Sequence, residues 1–161
     1  MASNSPPSIT IEAFASVQAA EQDAIQLDEA LEEQGIERDE WSAQRPDVLA
    51  QITADAASFR HYQGALEQAQ DALHRPVDPL YDDLEAWLAY AAAAEAEGMG
   101  SFLKRHGLTL GDFGRLERHW RGRYASEPKL VKAAKKARAR PAPDPLPPVT
   151  IGARSPLRAP Q

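Results

Sequence analysis

The chain has 161 residues, a net charge of −6 at pH 7, 43% hydrophobic residues, 26% charged residues and no cysteine. This composition is typical of a globular protein, and without cysteine the chain has neither a disulfide framework nor a thiolate metal site. The opening stretch MASNSPPSIT lacks the basic and apolar regions of a secretory signal, and no apolar run reaches the roughly 20 residues of a membrane helix. We therefore expect a cytoplasmic protein with no membrane contact.

Charge is distributed unevenly along the chain. Residues 1–100 contain 4 basic and 20 acidic side chains, a net charge of −16, whereas residues 101–161 contain 14 basic and 4 acidic ones, a net charge of +10. Such an asymmetry is typical of a nucleic-acid-binding arm, or of two halves that attract each other within or between chains. The acidic half favours the second interpretation because it would repel phosphates. We expect a protein partner or self-association through the two halves, with nucleic acid as the less favoured partner.

The first predicted helical unit covers residues 10–75, after a flexible leader at residues 1–9. Apolar residues at helical spacing predict a helix that ends at Gly35, because glycine suits the left-handed conformation just past a helix end. Pro46 predicts the first turn of a long helix over residues 46–74. Apolar residues recur every seven positions along this helix, which predicts one covered seam at Ile52, Phe59, Leu66 and Leu73.

The second predicted helical unit covers residues 76–140 and ends in a basic helix. Asp78, ahead of a proline, predicts a helix N-terminus, and the glycines at 98–100 interrupt the helix that follows. Thr109 and Asp112 have the spacing of a capping box at the start of the next helix. The pattern therefore predicts several helices and no strand of useful length.

The remaining residues, 141–161, form a proline-rich tail. They hold seven of the thirteen prolines, which predicts an extended segment outside the core. Only the stretch PVTIG has the character of a strand. We expect the apolar side chains of the tail to fill a groove of a partner or to add a strand to it: Val149, Ile151 and Leu157.

Two parts of the chain are similar when the sequence is aligned with itself at one constant offset. This offset places Leu31 on Leu103 and Gly35 on Gly107, and it aligns residues of similar type on the helix that follows each glycine. Each part would then contain a helix, a glycine corner and an antiparallel partner helix. The predicted fold is therefore all-α, a helical bundle of two similar helical hairpins with an extended Pro-rich C-terminal tail.

The sequence carries no pattern that indicates catalysis or metal binding. The four histidines include no pair at i, i+4 and no Glu-x-x-His spacing, and adjacent acids on a helix point in different directions. There is neither a phosphate-binding glycine loop nor a nucleophile elbow. We predict no catalytic residue, no metal site, no cofactor and no enzymatic activity.

Large apolar residues and the basic residues are the remaining candidates. Aromatic residues are typical of binding hot spots and of small cores, and we favour the core, with Tyr81 and Tyr90 expected to face outward. The predicted structural core consists of Trp41, Ile52, Phe59, Leu66, Trp87, Phe113, Leu116 and Trp120. The predicted partner-binding basic face consists of Arg115, Arg118, Arg121, Arg123, Lys129, Lys132, Lys135, Lys136, Arg138 and Arg140.

One stretch of the second unit follows the pattern Leu, three residues, Gly-Leu, a short polar stretch, an aromatic residue, Trp and a Pro-containing turn: Leu103, Gly107, Leu108, Phe113, Trp120 and Pro128. On this pattern, residues 30–134 resemble small helical accessory proteins encoded beside components of type VI and similar contractile secretion systems in myxobacteria and related bacteria. The resemblance implies an accessory or adaptor role without catalytic residues. The sequence thus predicts a non-enzymatic adaptor that binds another protein, the alternative being non-specific nucleic-acid or polyanion binding through residues 115–140.

Overall fold

A computed structural model describes residues 7–157 of the chain. Within these residues the chain forms eight α-helices and one short antiparallel sheet, so the predicted all-α class is confirmed. Most of the predicted leader and the last residues of the predicted tail lie outside the described residues. The elements are α1 Ile11–Gln22, α2 Leu27–Gln34, α3 Arg38–Thr53, α4 Ala56–Ala72, β1 Val77–Asp78, α5 Leu84–Glu97, α6 Met99–His106, α7 Leu110–Ser126, α8 Pro128–Arg138 and β2 Thr150–Ile151.

The chain is divided into two compact units. The first contains α1 to α4 and the segment that begins at Ser155, and the second covers residues 74–154 with α5 to α8 and the sheet. Each unit has four helices, whereas a helical hairpin has only two. The predicted hairpins therefore account for only part of each unit. The first unit has a core that includes Phe14 and Trp41, and the second unit has a separate core that includes Trp87 and Trp120.

One predicted helix is divided into α1 and α2. Ala24 has a φ of 59°, in the left-handed region, and ends the helical path. The backbone N–H of the buried residue Asp23 donates to the carbonyl oxygens of Ala19 and Ala20, both at 3.1 Å. Because neither glycine nor proline marks this break, helix propensity alone predicts a continuous helix here.

The predicted long helix over residues 46–74 is divided at Asp55. The Asp55 carboxylate accepts a hydrogen bond from the backbone N–H of Ser58 at 2.7 Å and caps α4. Ile52 before this break and Leu66 and Leu73 after it still pack in one core, so Phe59 alone leaves the predicted seam. The prediction that Phe59 is a core residue is therefore wrong, since Phe59 is 44% exposed in the first turn of α4.

The other predicted core residues lie in the interior of their unit or at its edge. Leu66 is half-buried against the core of the first unit. The buried ones are Trp41, Ile52, Trp87, Phe113, Leu116 and Trp120. The prediction that Tyr90 faces outward is wrong, because this residue is buried and its hydroxyl group donates to the Pro147 carbonyl oxygen at 2.5 Å.

The two units repeat the same order of helices at the constant offset found in the sequence. Helices α2, α3 and α4 begin at positions 27, 38 and 56, and α6, α7 and α8 begin at positions 99, 110 and 128, so all three pairs have the same separation. Gly35 and Gly107 end α2 and α6 in the left-handed conformation, with φ angles of 67° and 66°. In both corners the N–H after the glycine donates back to a leucine carbonyl, Ile36 to Leu31 at 2.9 Å and Leu108 to Leu103 at 3.0 Å. The predicted correspondence of the two glycine corners is confirmed.

We expect Gly35→Ala and Gly107→Ala each to lower the free energy of unfolding by about 1 kcal/mol or more, because alanine is strained at these positive φ angles. Gly64→Ala and Gly122→Ala are the matched controls, as both residues lie inside a helix with open space around the added Cβ. These controls should raise stability by about 0.5–1 kcal/mol. Thermal unfolding of the four variants measures the sign directly, and equal effects at all four positions would contradict the prediction.

The proline-rich tail packs on its own chain. β2 pairs antiparallel with β1, with Val77 opposite Ile151, and the Gly152 N–H donates to the Pro76 carbonyl at 2.9 Å. Val149 and Ile151 pack against the core of the second unit, and Leu157 packs against the core of the first. The expectation that this tail lies outside the core is wrong, because its apolar side chains pack against the cores of the two units and are partly buried there.

Candidate docking surface

An open groove lies on the surface of the second unit. It lies between α5 and α7 and reaches the end of α8, with a volume of about 460 Å³. We call it the α5–α8 groove and define it by its lining residues Trp87, Leu88, Ala91, Ala92, Glu95, Glu117, Trp120, Arg121, Tyr124 and Arg138. A volume of this size is typical of ligand-binding clefts, which bind through an apolar lining and a few polar groups.

Aromatic side chains form a rigid part of the groove wall. Trp120 is buried, and its Nε1 donates a hydrogen bond to the Leu80 carbonyl oxygen at 2.8 Å. The Arg123 guanidinium lies 4.9 Å from the centre of the Trp120 ring, within the range of a cation–π contact. Burial raises the pKa of Tyr124, and the positive charge of Arg138 offsets part of this rise. Tyr124 is therefore a neutral phenol at neutral pH.

Four charged side chains border the α5–α8 groove. None of them forms an ion pair with another residue in the part of the chain that the structure describes: Glu95, Glu117, Arg121 and Arg138. Charges at the edge of an apolar cleft steer a partner and set its orientation more than they add affinity. The groove can thus receive an apolar segment that carries complementary charges at its sides.

Helix α8 presents most of the predicted basic face to solvent. Leu130, Ala134 and Ala137 face the core at helical spacing, so the lysines between them point outward. The exposed cations of this helix and its C-terminal end are Lys129, Lys132, Lys135, Lys136, Arg138 and Arg140. Val131 lies among them and is 52% exposed.

The predicted basic residues of α7 have more varied surroundings. Arg121 is exposed, whereas Arg118 and Arg123 are half-buried. Arg123 binds Glu127 through its Nε at 2.9 Å, and Arg140, after α8, binds Glu85 at 3.2 Å. Both Arg123 and Arg140 therefore have part of their charge balanced within the chain.

Arg115 does not belong to the basic face. Its side chain is 2% exposed, and its Nη2 donates to Asp112 Oδ1 at 2.9 Å. The carboxylate of Asp112 is fully buried. It also accepts a bidentate hydrogen bond from the Arg75 guanidinium, with Arg75 Nε 2.9 Å from Asp112 Oδ1. The assignment of Arg115 to partner binding is therefore wrong, because an internal ion pair forms where the pattern predicts an exposed arginine.

The buried ion pairs of Asp112 with Arg75 and Arg115 lie next to the glycine corner at Gly107 and stabilise it. Thr109 and Asp112 form the predicted capping box, with the Thr109 N–H at 2.9 Å from Oδ2, and Arg75 also donates to the Gly107 carbonyl at 3.1 Å. Burial alone would raise the pKa of Asp112, but hydrogen bonds from Arg75, Thr109 and Arg115 together hold it below its ordinary value. The sequence shows the spacing of Asp112 and Arg115 along one helix, but it does not show that Arg75 lies nearby.

The tail residues predicted to bind a partner are engaged within the chain. Val149, Ile151 and Leu157 are half-buried against the cores of their own units. Side chains in these positions are not free to fill a groove on another protein. The structure therefore places these three side chains in packing within the chain and not on a free arm.

Residues 7–157 show no metal-binding cluster and no membrane-spanning helix. No group of three or more histidine or acidic side chains there has an arrangement that could hold a metal ion. None of the described helices is long and apolar enough to span a membrane. No protein-family model matches the chain, and no curated protein or solved structure shows significant similarity to it.

Proposed function

We propose that this chain is a non-enzymatic helical adaptor that binds another protein through its second unit. The observation that carries the proposal is the α5–α8 groove, which is open, is lined by both apolar and charged side chains, and lies beside the exposed cations of α8. Residues 74–154 contain 14 basic and 10 acidic side chains, a net charge of +4, whereas the rest of the chain has 4 basic and 14 acidic ones, a net charge of −10. The partner surface is accordingly acidic, in another protein or in the first unit of a second copy.

The cations and the groove contribute to different steps of partner binding. Lysines on α8 attract an acidic partner over a distance of about 10 Å at 0.1 M salt, which raises the rate of association. Burial of apolar surface in the groove supplies about 25 cal/mol per Å² of area removed from water and slows dissociation. The resemblance to accessory proteins of contractile secretion systems supports testing the products of neighbouring genes first as partners, in the cytoplasm.

Charge reversal on α8 tests the proposal. The full-length chain is used to capture partners from a nuclease-treated lysate, and the Kd of each purified partner is then measured. We expect the triple variant K129E, K132E and K136E to bind at least tenfold more weakly than the wild type. The control triple variant R45E, R60E and K104E changes the net charge equally at exposed positions away from α8 and should change the Kd less than threefold. Equal losses in both variants would contradict the proposal.

Non-specific polyanion binding is the second candidate function. The observation in its favour is the same row of exposed α8 cations, because lysines that neutralise phosphates release counterions and make affinity depend steeply on salt. A fluorescent single-stranded oligonucleotide titrated at several salt concentrations separates the two candidates. A steep loss of oligonucleotide affinity with salt, together with no retained protein, would favour the polyanion function over the adaptor.

A further inference from the structure

In the first unit, α4 covers α1 along its whole length. His61 Nε2 lies 2.7 Å from Glu12 Oε1 near the start of α1, and Gln70 hydrogen-bonds Gln22 near its end. The two helices therefore run parallel. The final turns of α4 and the residue after it keep the second half of α1 out of solvent, where Ala19 is fully buried.

In the second unit, the helix that packs on α5 is shorter than α4. α8 is the counterpart of α4 at the constant offset, but it has 11 residues where α4 has 17. Pro141 and Pro143 follow its end, and proline in a helix interior removes a backbone hydrogen bond and clashes with the preceding turn. The final turns of α4 thus have no helical counterpart in the second unit.

One residue of α5 differs in exposure from its counterpart in α1. Ala20 is 1% exposed in the first unit, whereas Ala92, at the same offset in the second unit, is exposed and lines the α5–α8 groove. Arg138, the last residue of α8, also lines this groove. The groove therefore lies where α8 ends and where the second unit lacks the final turns that α4 has in the first.

We propose that the α5–α8 groove binds an amphipathic helix of an acidic partner protein, which lies along the second half of α5 as the end of α4 lies along α1. The assignment rests on the proposed function and adds the chemistry of the partner. The chain itself contains an example of such a helix, in which Leu66, Ala69 and Leu73 pack on the first-unit core at helical spacing.

Charge decides which kind of helix fits. Arg138, at the end of α8, borders one side of the groove, and the exposed lysines of α8 extend this positive edge. Glu95, Glu117 and Arg121 border the groove on α5 and α7. The partner helix therefore carries carboxylates beside its apolar stripe, on the edge that faces α8. In α4, the exposed residues Glu67 and Asp71 are four positions apart and therefore lie on the same side of the helix.

A peptide of residues 62–73 is the probe for this site. Short isolated helices are marginal in water, so the peptide is stapled between positions 64 and 68, which are exposed in α4. Fluorescence anisotropy with the full-length chain should show saturable binding with a Kd below about 100 µM. A photo-crosslinker in place of Ala69 should react with residues 87–95 of α5.

Two arginine substitutions on one helix give a matched pair. Ala92→Arg fills the groove, whereas Ala96→Arg adds the same charge at an exposed position of α5 outside the groove lining. We expect the first substitution to weaken peptide binding at least tenfold and the second to change it less than twofold. Equal effects of the two variants would overturn the proposal, as would crosslinks to residues 11–22, which would mean that the peptide exchanges with α4.

Further outcomes separate this proposal from the adaptor function. If the peptide shows no saturable binding while charge reversal on α8 still abolishes capture of a protein, the helix assignment is wrong and the adaptor function stands. If light scattering shows that the chain alone forms a dimer that Ala92→Arg dissociates, the groove belongs to a second copy, and the separate partner helix is excluded.

Discussion

The variant Asp112→Asn should lower the free energy of unfolding of the second unit by about 3–5 kcal/mol, since removing one member of a buried ion pair leaves the others uncompensated. Asparagine keeps the size of the side chain and one oxygen for the capping box. It removes the negative charge that Arg75 and Arg115 share inside the unit. The melting temperature should fall by more than about 10 °C, at about 4–8 °C per kcal/mol for a unit of this length.

Fluorescence in a Trp41→Phe background measures this loss in the second unit alone, because the remaining tryptophans, Trp87 and Trp120, both belong to it. The control is Glu40→Gln, the counterpart of Asp112 in the first unit, where Ser8 and Gln44 supply neutral hydrogen-bond donors. This control should cost no more than about 1 kcal/mol. A similar cost for both variants would show that Asp112 acts only as a cap.

The same carboxylate predicts a dependence on pH. The pKa of Asp112 is lower in the folded chain than the value of about 3.9 in an unfolded chain. The stability that it contributes is therefore fully present above about pH 4 and is lost as the pH falls through the folded pKa. Urea unfolding at a series of pH values should show that the difference in free energy of unfolding between wild type and Asp112→Asn shrinks below pH 4.

Local signals in the sequence predict the helix ends that depend on neighbouring residues. Gly35 and Gly107 mark left-handed corners, and Thr109 with Asp112 marks a capping box, because these features need only a few adjacent residues. The helix break at Ala24 has no such signal. It follows from the packing of α1 and α2 in the first unit, which a periodic pattern does not contain.

Contacts between distant residues account for the other differences between sequence and structure. The sequence groups Arg115 with nine similar cations on a surface, but its partner Asp112 turns inward and is shared with Arg75 from another part of the unit. The groove is also absent from the sequence-based hypothesis. It depends on the length difference between α4 and α8, and this becomes informative only when the two units are compared.

Removal of residues 141–161 should destabilise the second unit by about 3 kcal/mol or more. Leu146, Val149 and Ile151 each pack half-buried on its core, at about 1 kcal/mol per side chain, and Tyr90 loses the acceptor of its buried hydroxyl group. The melting temperature of the second unit should fall by about 10–20 °C. Calorimetry of the truncated chain, with fluorescence in the Trp41→Phe background, measures this change.

Substitutions in the full-length chain separate packing from partner binding. The double variant V149S and I151S removes two packed side chains and should reproduce much of the loss, whereas Thr150→Ser alters the exposed residue between them and should have no effect. If the tail were an arm that docks on a partner, its removal would abolish binding and leave the unfolding midpoint unchanged. Because the tail covers Val77 and Tyr90 in its own unit, we expect the unfolding midpoint to fall, and weaker partner binding to follow from the damaged fold.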